Sequence, residues 1–223
     1  MEKKTKSLKF KSNPFHERIL IQSKQRSNGK PYTIREYRDR YFFPDEWKVF
    51  YDSLKEKQKP TFHCLINTGA RINEIRNVKV KDIDFERQNI VFRWTKSRNK
   101  DGTRRIRTIP ISSQFAKYLK SLIRKKGLGM DDKLPILSTP AGNVAMKKAL
   151  QKAGIPDWQM FSLHNIRKTT EMFLLALEVQ SQKIEKHMGH SVAVAQKYYV
   201  SPEIFSYEDK DMIRQIIGDL YAR

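Results

Sequence analysis

Cysteine and long apolar runs are what this sequence most clearly lacks. The lone Cys64 among 223 residues excludes an internal disulfide and fits a reducing compartment. With Leu65 and Ile66 beside it, we interpret its thiol as part of the core rather than as a nucleophile. No apolar run approaches the roughly 20 residues that a membrane-spanning helix needs, and the basic N-terminus has no signal-peptide core. We therefore expect a cytoplasmic protein.

Motifs for cofactors are missing as well. The sequence has no glycine-rich phosphate loop, no Cys/His spacing typical of a metal site, no acidic cluster for magnesium and no internal repeat. We expect no cofactor and no metal, so any activity should survive a chelator.

Negative charge is scarce. There are 24 Asp and Glu residues against 45 Lys and Arg, which gives a formal net charge of +21. Such a field attracts polyanions and releases their counterions, so double-stranded DNA is the leading partner. A hydrophobic fraction of 39% is enough for a core of one moderate domain with an appendage, or of two small domains.

Residues 1–40 are polar and basic, with a turn signal at residues 28–31. We interpret them as an arm or linker that either follows the DNA backbone or is a solvated tail. A catalytic domain is expected over residues 41–200. A C-terminal helical segment, residues 201–223, would dock on its own subunit or on a neighbour.

The pattern predicts an α+β fold that is mainly α-helical, with a small three-stranded antiparallel sheet near the first third. Period-two alternation marks strands over residues 78–85, 90–95 and 104–111, with a hairpin turn near Asp101-Gly102.

Helical signals cover much of the rest. Helices are predicted from Pro44, from Pro60, from near Arg71 and from Ser112 to Gly127. After a loop over residues 127–140, further helices are predicted over residues 144–153, from Ser162, and over residues 208–221 with an apolar stripe.

The hairpin is strongly basic, and two readings of it remain open. It is a solvated edge protected by cations, or a ribbon lying against a nucleic-acid groove or backbone, which the whole-chain charge favours. The candidate DNA-contacting residues are Arg93, Arg98, Lys100, Arg104, Arg105 and Arg107.

A set of side chains suited to phosphate chemistry runs through the chain. Arg71 and Glu74 lie one helical turn apart, and His164 and Arg167 are spaced to point the same way. Without metal, two arginine forks can neutralise charge on a phosphodiester, a hairpin lysine can protonate the leaving oxygen, and an imidazole can help to deprotonate an attacking phenol. The candidates are Arg71, Lys96, His164, Arg167 and His190, with Tyr199 as nucleophile and Glu74 in support.

The segments that carry these side chains resemble the conserved motifs of the catalytic domain of the tyrosine recombinases, or phage-type integrases, and most of all those of their short archaeal and viral members. The resemblance covers roughly residues 41–200. It rests on four segments: Thr68-Gly69-Ala70-Arg71-Ile72-Asn73-Glu74-Ile75, Trp94-Thr95-Lys96-Ser97, His164-Asn165-Ile166-Arg167, and Met188-Gly189-His190 followed by Tyr199.

The resemblance implies an activity. Tyrosine would cleave DNA to form a covalent 3′-phosphotyrosine link and release a 5′-hydroxyl, and strands would exchange without cofactor. It also implies a homotetramer on two DNA sites with exchange of a C-terminal helix, and integration or excision of a viral or mobile-element genome. The expected location is the cytoplasm of a prokaryotic host cell, in association with the nucleoid.

Several points depart from the family pattern or stay open. Residues 1–40 are too few and too polar for the N-terminal helical domain that family members usually carry, so the chain is a catalytic fragment or a minimal enzyme. Tyr198 competes with Tyr199 as nucleophile, and Lys100 competes with Lys96 as acid. His187 is expected at the surface. Two rival functions also remain: a type IB topoisomerase-like resolvase, and an inactive DNA-binding protein on the same fold.

Overall fold

The computed structural model describes residues 40–95, 101–189 and 205–221, together with the backbone of two earlier strands. In these residues eight α-helices surround one hydrophobic core, with a small sheet at one side. The helices are Pro44–Asp52 (α1), Lys59–Thr68 (α2), Ile72–Ile75 (α3), Ser113–Lys126 (α4), Thr139–Lys152 (α5), Leu163–Ala176 (α6), Ser181–Met188 (α7) and Tyr207–Ile217 (α8). None of the helices in the described ranges is long and apolar enough to cross a membrane.

Five strands form two separate sheets. Gln22–Gln25 (β1) and Pro31–Ile34 (β2) pair antiparallel in the region interpreted as an arm, where no strands were predicted. The other sheet has the order β3-β4-β5 and is antiparallel throughout. Its strands are Ile83–Asp84 (β3), Asn89–Phe92 (β4) and Arg107–Pro110 (β5).

The predicted three-stranded antiparallel sheet is confirmed, but all three of its strands are shorter than predicted, the first most of all. Residues Val80–Asp82 form a 3-10 turn instead, because the Asp82 carboxylate accepts the Lys79 backbone N–H at 3.0 Å and closes the chain into a cap. In the register of β4 and β5, Ile90 faces Ile109 and Phe92 faces Arg107. This register decides which side of β5 is buried.

Capping residues set the helix ends in the middle of the chain. Ser112 caps α4 by accepting the Phe115 N–H at 3.2 Å, and Gly127 ends it with φ of 62°, as predicted. The prediction for α5 was wrong at its start: the helix begins at Thr139, five residues before Val144. The Ser138 hydroxyl accepts the Ala141 N–H at 3.3 Å, and a proline in the first turn starts this helix rather than extending the loop.

Helix α8 packs on its own chain, against α1, α2 and α6. Its side chains Ile213 and Ile217 are completely buried, and Leu220 just beyond it is nearly so. The apolar stripe predicted for this segment is therefore part of the core of the same subunit.

A buried ion-pair network fixes the entry to the helical core. Arg40 is only 1% exposed. It donates from Nε to Asp157 at 2.6 Å and from a terminal nitrogen to Glu46 at 2.6 Å. Its guanidinium also lies 4.4 Å from the ring centre of Phe161. The network joins the start of α1 to the segment before α6, so it holds α6 in register with the first helices.

Candidate active site

The short helix α3 presents an arginine above a buried carboxylate. Glu74 is 3% exposed; one of its carboxylate oxygens accepts the Arg71 backbone N–H at 3.0 Å and the other accepts the Arg71 guanidinium at 2.9 Å. Gly69, in the left-handed conformation with φ of 55°, ends α2 and allows α3 to start immediately afterwards. The Arg71 side chain remains 37% exposed, so its outer face is open to a ligand.

Strand β5 brings a second arginine to the same carboxylate. Arg107 donates to Glu74 at 2.8 Å and to the backbone oxygen of His187 at 2.6 Å, and its side chain is only 12% exposed. Burial lowers the pKa of Arg107; Glu74 opposes this shift and Arg71 adds to it. Arg107 was predicted to contact DNA together with the other hairpin arginines, but its side chain lies inside the cluster, between Glu74 and the end of α7.

Helix α6 supplies the third arginine. Arg167 is 3% exposed and donates to the backbone oxygens of Gly69, at 2.6 Å, and of Met188. Burial, with the nearby charges of Arg107 and Arg71, lowers its pKa to about 10. Arg167 is therefore still a cation at neutral pH, and it is held rigidly between the ends of α2 and α7.

His164 and Arg167 occupy different depths on α6. Their spacing predicts a shared direction, but His164 is exposed while Arg167 is buried. Arg167 extends into the interior, where it donates hydrogen bonds to two backbone carbonyl groups. His164 lies at the surface and is accessible to a substrate.

The prediction that His187 lies at the surface was wrong. It is 1% exposed; its Nε2 lies 3.1 Å from the Thr68 backbone oxygen and its Nδ1 3.1 Å from the Tyr221 hydroxyl. Burial, reinforced by the charge of Arg107, lowers its pKa to about 3. The signal that could have revealed this was the period of α7, because Ile184, His187 and Met188 share one face.

Several candidate residues lie outside the described residues. The structure does describe Gly189, the residue before His190, which ends α7 with φ of 73°. A Cβ added to Gly189 would lie 3.3 Å from the Arg107 side chain, so the chain passes directly over the arginine cluster as it approaches His190. The candidates outside the described ranges are Lys96, Arg98, Lys100, His190, Tyr198 and Tyr199.

The remaining hairpin arginines lie outside the cluster. Arg93 pairs with Asp82 at 2.8 Å and is more than half exposed. Arg104 lies 4.3 Å from the ring centre of Trp94, which is 52% exposed, and Arg105 is exposed. Their contact with DNA remains a prediction.

The cluster as a whole is built for an anion. Two guanidinium groups, those of Arg71 and Arg107, pair with the buried Glu74 carboxylate, and the most accessible of them, Arg71, faces outward. Arg167 lies near enough for its pKa to be affected by the charges of all three groups. Arginine forks match the paired oxygens of a phosphate. Within the described ranges, no three His, Cys, Asp or Glu side chains come close enough together to hold a metal ion.

A mainly helical fold with a small sheet beside an arginine cluster defines the catalytic-domain class of the integrases. The sequence profile of the phage integrase family matches residues 41–203, and the chain belongs to that family. The predicted family and fold class are therefore confirmed.

Individual relatives agree with this assignment. The chain is 32% identical over 145 residues to tyrosine recombinase XerA of Saccharolobus solfataricus, which covers 64% of this chain and 45% of that protein. A crystal structure of XerA recombinase superimposes with a TM-score of 0.58 at 21% identity, covering 79% of this chain and 64% of that one. The Tn1549 transposon integrase, solved in complex with transposon right end DNA, gives a TM-score of 0.58 at 17% identity, covering 78% and 64%. The chain spans about half the length of the first two curated relatives it matches.

Proposed function

We propose that the protein is a site-specific DNA recombinase that cuts and rejoins duplex DNA through a covalent 3′-phosphotyrosine intermediate. The observation that carries this proposal is the convergence of Arg71 and Arg167 beside the turn that leads to His190. Membership of the phage integrase family supports the same conclusion.

The reaction exchanges one phosphorus–oxygen bond for another. The phenol oxygen of Tyr199 attacks the scissile phosphorus, and its proton passes to an imidazole, His164 or His190. The bond to the 5′-oxygen breaks, and Lys96 protonates that oxygen as it leaves. The 5′-hydroxyl of another strand later attacks the phosphotyrosine and releases the enzyme.

Arg71 and Arg167 have complementary roles in this scheme. The exposed fork of Arg71 contacts a non-bridging phosphate oxygen as substrate arrives. Arg167, already fixed by Gly69 and Met188, supplies charge that needs no reorientation during the reaction. Preorganised cations of this kind stabilise the extra negative charge of the transition state.

Hairpin cations hold the duplex against this site. Arg93, Arg104 and Arg105 are exposed at its base, and in this proposal they contact the phosphate backbone. Binding should weaken steeply as salt rises, because each phosphate contact releases counterions. We further propose that the protein forms a tetramer on two recombination sites. In the tetramer, α8 would be exchanged between subunits, and its apolar face would pack against the core of the neighbouring subunit. The reaction would integrate or excise a viral or mobile-element genome.

The proposal is tested by covalent capture from a pool of nicked duplexes with randomised sequence. The nick lets a short fragment diffuse away and leaves protein on the 3′-phosphate. A recombinase should recover duplexes that share one sequence, whereas a type IB-like enzyme would recover unrelated sequences and relax any supercoiled plasmid. Binding without any covalent product would favour an inactive DNA-binding protein.

A matched pair of variants tests whether formation of the covalent product depends on the arginine cluster. Arg167→Lys should lower the rate of capture by about 100-fold or more, because lysine cannot span two acceptors as a fork. Arg124→Lys, on the exposed face of α4, should leave the rate unchanged. Equal rates for the two variants would contradict the role given to Arg167.

A further inference from the structure

Arg107 connects the two halves of the arginine cluster. One terminal nitrogen donates to Glu74 of α3 and the other donates to the His187 backbone oxygen at the end of α7. These elements are far apart in sequence, and among the described residues this guanidinium is the side chain that hydrogen-bonds to both. Arg107 therefore connects α3, which follows Arg71, to the end of α7, which precedes His190 in the sequence. It is placed to fix the distance between these two elements.

The end of α7 depends on arginine for its caps. The last carbonyls of a helix have no partner within the helix, and cations are favoured there by the helix dipole. Arg107 satisfies the oxygen of His187, and Arg167 satisfies that of Met188. The chain then turns at Gly189, whose backbone lies against the Arg107 side chain.

Arg107 also affects how far the Arg71 guanidinium is exposed to a substrate. Glu74 divides its two oxygens between Arg71 and Arg107. Arg107 takes the buried place, with 12% of its side chain exposed, and Arg71 keeps 37%. The oxygen that accepts Arg107 also accepts the Arg71 backbone N–H. Without Arg107, this oxygen could accept a second bond from the Arg71 guanidinium, and the resulting bidentate pair would turn that guanidinium away from a substrate.

The register of the sheet places Arg107 on the inner face of β5. Its cross-strand partner Phe92 is completely buried, and Ile109, two residues further along the strand, is buried as well. Arg105 is exposed, so only one of the two arginines can reach a duplex without a change in the strand.

We infer that Arg107 is a positioning residue for the recombination reaction, acting through Glu74, Arg71 and the turn before His190, and that it is not a DNA contact. The inference rests on the proposed function. It makes strand β5, which leads out of the DNA-facing hairpin, a structural link between the hairpin and the catalytic groups.

The test compares Arg107→Ala and Arg107→Lys with Arg105→Ala, using the duplex recovered by covalent capture. Single-turnover cleavage at saturating DNA and DNA affinity are measured separately, after thermal unfolding has shown that each variant folds. We expect Arg107→Ala to cleave about 100-fold more slowly with nearly unchanged affinity, since small misplacements of catalytic groups cost that much. Arg107→Lys keeps the charge beside Glu74 but cannot bridge to His187, so it should recover part of the loss.

Arg105→Ala should show the opposite pattern. Its main effect should be weaker DNA binding, with a salt dependence smaller by about one phosphate contact, and its loss of cleavage rate at saturating DNA should be far smaller than that of Arg107→Ala. If Arg107→Ala behaves like Arg105→Ala, or if Arg107→Lys matches the wild type in both measurements, the inference is overturned.

Hydrogen exchange provides a readout that does not depend on activity. The amides of residues 187–189 should exchange roughly 10-fold faster in both Arg107 variants, because an uncapped helix end frays, and should be unchanged in Arg105→Ala. If the wild-type chain captures no duplex, the proposed function fails while the exchange result still decides the structural link. Unchanged exchange in Arg107→Lys would overturn that link.

Discussion

Arg107 and Glu74 lie 2.8 Å apart across the boundary between the small sheet and helix α3. Glu74 is buried and Arg107 is largely so, and Glu74 simultaneously holds Arg71. The site therefore depends on a carboxylate that never needs to touch substrate, because it keeps two like charges close together and leaves one of them partly exposed.

Removal of the Glu74 charge should be strongly destabilising. Glu74→Gln leaves one acceptor oxygen for the three donors that the carboxylate now satisfies, and leaves Arg107 buried without a counter-charge. We expect a loss of about 3 kcal/mol in the free energy of unfolding, measured with urea. Glu86→Gln, at an exposed position, is the control and should change little. Equal stabilities of the two variants would contradict the account of the cluster.

The close contact between Gly69 and Met188 gives a second prediction. Gly69→Ala would adopt φ of 55° and place its Cβ 2.9 Å from the Met188 sulfur, while Gly127→Ala has a similar φ of 62° with nothing within 4 Å. In both variants the left-handed backbone conformation should lower the free energy of unfolding by about 1 kcal/mol. Gly69→Ala should lose a further 1–3 kcal/mol, roughly, from overpacking. Urea unfolding that gives the same cost for both alanines would show that the end of the Met188 side chain moves aside without cost, and would contradict the prediction.

His187 should make the fold sensitive to acid. Its folded pKa of about 3 lies below the ordinary value of 6.5, so between these values the unfolded chain binds more protons than the folded one. The stabilisation is complete above pH 6.5 and is lost as pH falls toward 3. At pH 5 the loss should be about 2 kcal/mol relative to pH 7.5.

The contribution of His187 can be separated from that of His63, whose pKa is also lowered by burial, to about 4. His187→Gln removes one titrating group and keeps a side chain able to hydrogen-bond to Thr68 and Tyr221. Its unfolding free energy should fall less than that of the wild type between pH 7.5 and 5. Parallel pH curves for the two proteins would show that His187 is not buried in its neutral form.

Cys64 should be inert in the folded protein. It is completely buried, and burial raises the pKa of its thiol to about 12, so almost no thiolate forms at neutral pH. Ellman's reagent should react only after urea is added. Ser121→Cys, which adds a thiol on the exposed side of α4, should react at once in the native state. Native reaction of Cys64 at a similar rate would contradict its placement in the core.

Local signals predicted most helices and the three-stranded sheet, but they missed helix α7 and strands β1 and β2, and they predicted the environments of charged residues poorly. Ser112 and Gly127 marked the ends of α4 correctly because capping is decided by a few neighbouring residues. The three-stranded sheet followed from alternation in the same way. The early start of α5 was missed because Pro140 was interpreted as part of a loop rather than as a first-turn residue.

Arg107 and His187 show why the burial of polar and charged side chains could not be predicted from the sequence. Alternation along β5 placed Arg107 on the face of Ile109, but the charge of the hairpin dominated its interpretation. What keeps Arg107 inside is Glu74, an acceptor 33 positions away, and no short-range pattern contains that contact. The two hydrogen bonds that make burial of His187 acceptable also come from distant parts of the chain, at Thr68 and Tyr221.

The most direct measurement is to map the covalent bond between protein and DNA. Captured adduct is digested with nuclease and trypsin, and the peptide of residues 198–210, which begins after Lys197, is fragmented by mass spectrometry to locate the nucleotide remnant. The account predicts the remnant on Tyr199, present in the wild type and absent from Tyr199→Phe. A remnant on Tyr198 or on another residue, or an adduct that persists in Tyr199→Phe, would contradict it.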